Sequence, residues 1–350
     1  MFATEIKPEV VPVRALPSAK PSPAWRQIIE PVKPFLEKVA NRLAEQVEGF
    51  EPEIAAYAQY ALPNQGKQMR PALVALSGGA SGKVTDSLIT VAVIIEMVHL
   101  ATLVHDDVVD EAEMRRRRPT LAAKWGNQIS VLLGDCLFAN AVKLAASFPT
   151  PEVCRAVASA NNTVCSGEIL QTQHRRQFGF TRAQYFKVVQ MKTAELFALS
   201  CDLGAGLSNA TGTGRNALRN YGLALGTAYQ VYDDCLDLFG SEALVGKSLG
   251  TDLASGKLTL PILAVLARGT RADQAKLKEL IGHWEPDYFP LVLELLERYE
   301  ALTECSGIIY EYLEAARQSL EILPDSDSGR ALVALTEFLA QQTELLGVSN

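Results

Sequence analysis

From Pro23 onward apolar residues recur at three- and four-residue intervals. Ile28, Ile29, Val32, Phe35, Leu36, Val39 and Leu43 fall on one helix face. Strand-like alternation of apolar and polar positions is scarce. Breakers stand where helices would end: Pro63-Asn64, Gly78-Gly79, Gly126-Asn127, Pro149 to Pro151, Gly179, Gly212 to Gly214, Gly240, Gly246 to Gly256, Pro286 to Pro290 and Pro324. The pattern predicts an all-α protein, a single-domain bundle of about ten core helices. Residues 1–25 carry scattered prolines (Pro8, Pro12, Pro17, Pro21, Pro23) and no apolar run of signal-peptide length. They read as a loose tail before one domain of residues 26–350, which no composition shift or repeat divides. Ser306 to Leu346 reads as an amphipathic helical pair split at Pro324.

Composition narrows the partners. A chain of 350 residues that is 48% hydrophobic is not chiefly disordered. Its formal net charge of −7 argues against a nucleic-acid binder, which would carry a basic excess. Cys136, Cys154, Cys165, Cys201, Cys235 and Cys305 lack zinc-ligand spacing and read as reduced, mostly buried thiols. The most apolar run, Thr90 to Val104, is interrupted by Glu96 and His99 and is shorter than the ~20 residues of a bilayer span. The expectation is a cytoplasmic protein with no transmembrane segment.

The chemistry is carried by aspartates. Asp106, Asp107 and Asp110 form a DDxxD cluster at the end of an apolar helical segment, Ser87 to Val109, and Asp233, Asp234 and Asp237 repeat it on the run Leu225 to Leu238. Positions four apart lie about 40° apart around a helix, so Asp106 and Asp110 share a face and a cation. Oxygen ligands on one face suit Mg²⁺. One such cluster arises by chance in about one chain in twenty-five of this length, and two in about one in a thousand. A cluster of this kind is otherwise a solvated helix face. The apolar neighbours Leu103, Val104, Val108 and Val231, Leu236, Leu238 weigh against that, because unneutralised carboxylates at a partly buried wall are costly. Positive charge is concentrated nearby, in Arg115 to Arg118, in Lys67 and Arg70 of the stretch Gly66 to Pro71, and in Lys247 and Lys257 of a glycine-rich loop. Paired cation sites beside concentrated Lys and Arg fit a small polyphosphate, diphosphate best of all.

Taken in order, GKQMRP at Gly66, EMVHLATLVHDDVVD at Glu96, GD at Gly134, GEILQ at Gly167, KTAELF at Lys192, YQVYDDCLD at Tyr229 and GKSLGTDLASGKLTLP at Gly246 resemble the trans-isoprenyl diphosphate synthases, or polyprenyl synthetases. The resemblance covers nearly everything after the tail. It implies the isoprenoid synthase fold around a central cavity, and a prenyltransferase that condenses isopentenyl diphosphate with an allylic prenyl diphosphate. It further implies three Mg²⁺ per site, two held through Asp106 and Asp110 and a third through Asp233, with Asp107, Asp234 and Asp237 acting behind them. Lys67, Arg70, His99 and Arg116 would hold isopentenyl diphosphate. Arg115, Lys192 and Lys247 would hold the allylic diphosphate, supported by Lys257, and Thr193 and Gln230 would turn oxygen dipoles toward the developing carbocation. A homodimer is implied as well. Without the resemblance His99 is a core histidine and Gln230 a packing amide; His105, His174 and His283 keep that plain reading. Gln68 and Arg117 depart from the arginine and glycine common in the family, and one glycine of its GGK stretch is replaced by Gln65.

Product length follows from the helix below Asp106. Ala101 and Thr102 are small where farnesyl- and geranylgeranyl-forming relatives place a large ring, which leaves a passage toward Val98 and Ile94. That predicts a hexaprenyl to nonaprenyl product; the alternative is a geranylgeranyl or farnesyl diphosphate synthase, since a large side chain from another helix could stop growth early. A class I terpene cyclase and a non-catalytic partner subunit are the remaining alternatives. The first ordinarily lacks the second DDxxD and the second typically loses its aspartates.

Overall fold

The computed structural model describes residues 23–62, 67–116, 118–241 and 249–347. The chain opens with α1 (Pro23–Ile29), a 3-10 turn (Glu30–Val32) and α2 (Lys33–Glu48). The apolar pattern runs unbroken across this junction, but Pro31 and Pro34 cannot donate the backbone bonds of a continuous helix. Next come α3 (Pro52–Ala61), α4 (Met69–Ser81) and α5 (Asp86–Val109), then a hairpin pairing Met114–Arg115 with Arg118–Pro119. The middle of the chain forms α6 (Leu121–Trp125), α7 (Asn127–Ala146), α8 (Glu152–Gln173) and α9 (Arg182–Val189). A π-helical turn (Gln190–Ala194) leads into α10 (Glu195–Gly206), and α11 (Gly212–Phe239) follows. The short α12 (Thr251–Ala254), α13 (Leu260–Arg268), α14 (Arg271–Gly282), α15 (Phe289–Arg298), α16 (Ala301–Leu320) and α17 (Asp327–Glu344) complete the described chain. Ten of these helices have twelve or more residues, the number the pattern predicts.

Two long helices organise the core. Helix α5 is apolar nearly all round between Leu88 and Ala101, Glu96 and His99 apart, and is correspondingly buried, packed against α2, α4 and α7. Helix α11 lies between α10 and α16. Its Tyr221 is fully buried and donates its hydroxyl to the Leu332 carbonyl on α17 at 2.7 Å. On the side facing α10 it carries Gly222 and Gly226. A Cβ at Gly222 would stand 2.6 Å from the Phe197 carbonyl, and one at Gly226 2.7 Å from Ala194 Cα. This pair lets the two backbones touch, and so fixes the π turn against α11.

Two expectations need correction. The packed unit reaches into the stretch read as tail, because Trp25 is 1% exposed with its ring 5.8 Å from that of Phe338. Half of the cysteines are buried rather than most of them: Cys201, Cys235 and Cys305 are inside, Cys136 and Cys154 are intermediate and Cys165 is exposed. By length and composition alone α5 and α7 would also be long and apolar enough to cross a membrane, but 72% of the apolar window of α5 is buried in the bundle, where its apolar surface is spent on the core.

Candidate active site

Helix α5 ends on the first aspartate cluster and α11 carries the second in its last two turns. Both reach one cavity of about 620 Å³, lined by Asp106 and Asp110 from α5 and by Gln230, Asp233 and Asp234 from α11. Lys192 and Thr193 join them from the π turn, with Arg70, His99, Thr102, Arg115, Arg116 and Lys257 around the wall. A π turn widens a helix by one residue and recurs at functional sites. Here it turns Lys192 and Thr193 together into the cavity.

Each carboxylate has a distinct environment. Asp106 Oδ2 stands 3.7 Å from Lys192 Nζ, which is also paired with Glu168 and donates to Gln171 Oε1 at 2.8 Å. Burial, aided by repulsion from Glu168 and Asp110 and opposed by Lys192, pushes Asp106 up to about 6. Asp110 accepts from Lys257 Nζ at 2.8 Å and from Arg175 Nη2 at 2.5 Å. Burial works the other way, yet Lys257, Lys192 and Arg175 hold its carboxyl below the usual range. Asp107 points away from the cavity lining and pairs with Arg115 Nε at 2.8 Å. Asp234 is buried and accepts from Tyr185 OH at 2.5 Å and from Gln230 Nε2 at 2.8 Å, while Thr193 Oγ1 donates to Gln230 Oε1 at 2.7 Å. Burial and the nearby Asp252 hold Asp234 well above the ordinary value. Asp237 also stands outside the lining. It caps α12, accepting from Thr251 Oγ1 at 2.7 Å and from the Asp252 amide at 3.0 Å.

The other end of the cavity is positive. Burial, reinforced by Arg70, Arg115 and Arg116, keeps His99 neutral, far below the ordinary histidine value. Glu96 is 3% exposed and pushed up to about 7 by burial, despite the pull of Arg70 and Arg116. Arg70 lies 5.0 Å over the Phe197 ring. Two guanidiniums, of Arg70 and Arg116, act on the one buried carboxyl of Glu96, and this concentration of positive charge suits an anion. Arg116 and Gln68 both adopt left-handed backbone, with φ of 49° and 50°, an uncommon state for residues other than glycine and one that collects at functional sites. For Arg116 the cause is the two-residue hairpin turn, which demands positive φ.

The other predicted residues are spread more widely. Lys67 is exposed, sits 5.3 Å over the Phe338 ring and lines a small neighbouring pocket that shares Tyr229. Ala101 and Val98 are fully buried and do not line the cavity, whereas Thr102 does. The reason is angular: four positions before Asp106 lies about 40° from it around the axis, five positions about 140°. His105 and His174, read from sequence as plain core residues, reach the cavity wall. Lys247, Gln65, Gly66 and Arg117 fall outside the described residues. Glu168 and Gln171 belong to the GEILQ stretch but had no role assigned; three positions apart on α8, they meet Lys192 together. Arg175 and Tyr185 come from positions that no local pattern marks.

Among the described residues no group of three or more His, Cys, Asp or Glu is arranged to hold a metal ion by itself. Mg²⁺ is ordinarily held by one or two carboxylates with water and substrate phosphate. Asp106, Asp110 and Asp233, all oxygen donors on one cavity, fit a cation that arrives with a diphosphate.

The sequence profile of the polyprenyl synthetases matches residues 51–289. An octaprenyl diphosphate synthase of Haemophilus influenzae is 33% identical over 303 residues, covering 86% of this chain and 92% of that one. Two solved structures superpose with a TM-score of 0.86. One, a decaprenyl diphosphate synthase from Rhodobacter capsulatus, is 29% identical and covers 91% of this chain and 99% of that one. The other, a polyprenyl synthase from Caulobacter crescentus CB15 complexed with calcium and isoprenyl diphosphate, is 30% identical and covers 93% and 99%. With its paired aspartate clusters on one cavity, and a family profile spanning most of its length, this chain belongs to the polyprenyl synthetase family.

Proposed function

We propose that the protein is a trans-polyprenyl diphosphate synthase that adds isopentenyl diphosphate to an allylic prenyl diphosphate. The observation that carries this reading is one cavity that gathers carboxylates of two helices and the guanidiniums of Arg70, Arg115 and Arg116. Ionising the allylic C–O bond leaves a diphosphate with roughly three negative charges, and fixed positive charge beside it lowers the barrier. Three magnesium ions, held through Asp106, Asp110 and Asp233, would supply most of that charge. Lys192 and Lys257 stand beside Asp106 and Asp110 to supply the rest. Tyr185 and Gln230 both donate to Asp234, and Thr193 donates to Gln230, which leaves the lone pairs of Thr193 free to face a carbocation. Arg70, His99 and Arg116, with Lys67 at the neighbouring pocket, would hold isopentenyl diphosphate with its double bond near that cation. The decisive experiment incubates the protein with farnesyl diphosphate and Mg²⁺, with and without isopentenyl diphosphate. Turnover is expected only with both substrates. Consumption of farnesyl diphosphate alone would indicate a cyclase instead.

We infer a long product, in the hexaprenyl to nonaprenyl range, from the apolar wall. It is built by Thr102 and Leu103 of α5 with Val131 and Phe138 of α7 and Val164 of α8. The tail would run along this wall rather than behind Ala101. Phe138, its ring 5.7 Å from that of His105, is the large side chain on the far helix. Thr102→Phe is expected to shorten the product by two or more isoprene units, at roughly one helical turn (~5 Å) per unit, and Phe138→Ala to lengthen it. Chromatography of labelled products reads both changes, and an unchanged distribution in the pair would place the tail elsewhere. A geranylgeranyl product from the unaltered protein would make Phe138 the stop. A homodimer accords with the exposed apolar residues Leu132 and Val142 on α7, outside the cavity lining.

A further inference from the structure

Asp110 is the aspartate of the first cluster that its own helix holds least. It caps the C-terminal end of α5 (φ −90°, ψ 0°), and the next residue, Glu111, has left-handed backbone with φ 52°. A carboxylate there also opposes the helix dipole. Yet its side chain is only 21% exposed and both its oxygens are engaged, Oδ2 by Lys257 from the cavity wall and Oδ1 by Arg175. Arg175 is not part of the cavity lining. Its guanidinium, 20% exposed, approaches Asp110 from behind and also donates Nη1 to the Val109 carbonyl at 3.2 Å. One residue thus fixes both the Asp110 side chain and the last carbonyl of α5, that of Val109, with positive charge where two helix C-termini meet.

Arg175 is itself anchored. The Arg176 amide donates to the Gly256 carbonyl at 2.8 Å, and the Arg176 side chain fills the space where a Cβ on Gly256 would stand, 2.7 Å from that point. Gly256 closes the segment that begins with α12, whose start is capped by Asp237 of the second cluster. An unbroken line of contacts therefore joins Asp110 through the Arg175-Arg176 turn and α12 to Asp237.

We propose that Arg175 is a positioning residue that fixes Asp110 for divalent-cation binding and sets the first aspartate cluster at its working distance from the second. The inference rests on the reading of this cavity as a metal–diphosphate site. Lys257 holds Oδ2, the oxygen a cation would take, while Arg175 holds Oδ1 and orients the carboxylate. Outer partners of this kind typically change metal affinity 10- to 100-fold when removed.

The test measures Mn²⁺ binding in the presence of inorganic pyrophosphate by electron paramagnetic resonance, in the full chain, for the unaltered protein, Arg175→Gln and Arg175→Lys. Arg175→Gln is expected to weaken Mn²⁺ binding at least ~10-fold. Arg175→Lys, which keeps the charge but loses the two-pronged donor, should fall between the two. In steady-state assays the half-saturating Mg²⁺ concentration should rise for Arg175→Gln while turnover at saturating Mg²⁺ falls less, a split that general loss of structure would not give. Unchanged or tighter Mn²⁺ binding in Arg175→Gln, with normal binding by the unaltered protein, overturns the role of Arg175. Failure of the unaltered protein to bind Mn²⁺ with pyrophosphate overturns the reading of the site itself.

Discussion

Asp106→Asn is expected to lower prenyl transfer by on the order of 10³-fold or more, and Asp233→Asn by a similar factor, because each removes a cation-holding charge at the point where the leaving diphosphate gathers its own. Asp106→Asn should also change stability. Asp106 carries a pKa of about 6 against an ordinary 3.8, so the unfolded chain releases this proton first as the pH rises. Folding therefore loses stability between pH 4 and 6, and above pH 6 the full penalty stands, on the order of 1–2 kcal/mol for a partly exposed and coupled group. Asparagine carries no such penalty. Metal-free Asp106→Asn should melt above the unaltered protein at pH 8, with the gap closing toward pH 4. A variant that is both inactive and more stable would mark Asp106 as held for function at the expense of the fold. Near-normal turnover in either variant, measured at saturating Mg²⁺, would contradict the assignment, and a lower melting point for Asp106→Asn at pH 8 would contradict the electrostatic account.

Gly226→Val is the second large effect. Any Cβ at this position would stand 2.7 Å from Ala194 Cα and 3.0 Å from Ala194 Cβ, and two backbones cannot yield as a flexible side chain would. Helix α11 must move off the π turn, at a cost of about 3 kcal/mol for overpacking a closed contact. The displacement also separates Thr193 from Gln230, which are 2.7 Å apart, and removes the donor that orients Gln230 toward Asp234. Thermal unfolding should show the loss of stability. Turnover of the still-folded fraction should drop with it, whereas Gly212→Ala, where a Cβ meets nothing within 4 Å, should change neither. Equal effects of the two substitutions would mean that the close approach of α10 and α11 does not shape the site.

The helices were legible because their period is written locally, and so were the aspartates, since two rare clusters on apolar helices speak for themselves. Which residues border the passage for the product depends on geometry. Ala101 and Thr102 are neighbours in sequence but about 100° apart on a helix, and Thr102 alone faces the cavity. The basic pocket was foreseen through its arginines but not through Glu96, whose burial at 3% is a property of the packed bundle. Tyr185 and Arg175 had no signal at all. A tyrosine and an arginine 49 and 65 positions from their aspartates look like any others until the chain is folded.

The sequence by itself determined the class of fold, the two carboxylate clusters and the kind of ligand they suit, because helical period, charge and short spacing are properties of neighbouring residues. The tertiary structure alone decided that both clusters open on one cavity, which aspartates face it and which brace α12 or Arg115, and where a prenyl tail can run. Those depend on how closely α10 and α11 approach and on the angle at which α5 meets its neighbours. Such distances arise from packing among residues far apart in the chain, and no local pattern encodes them.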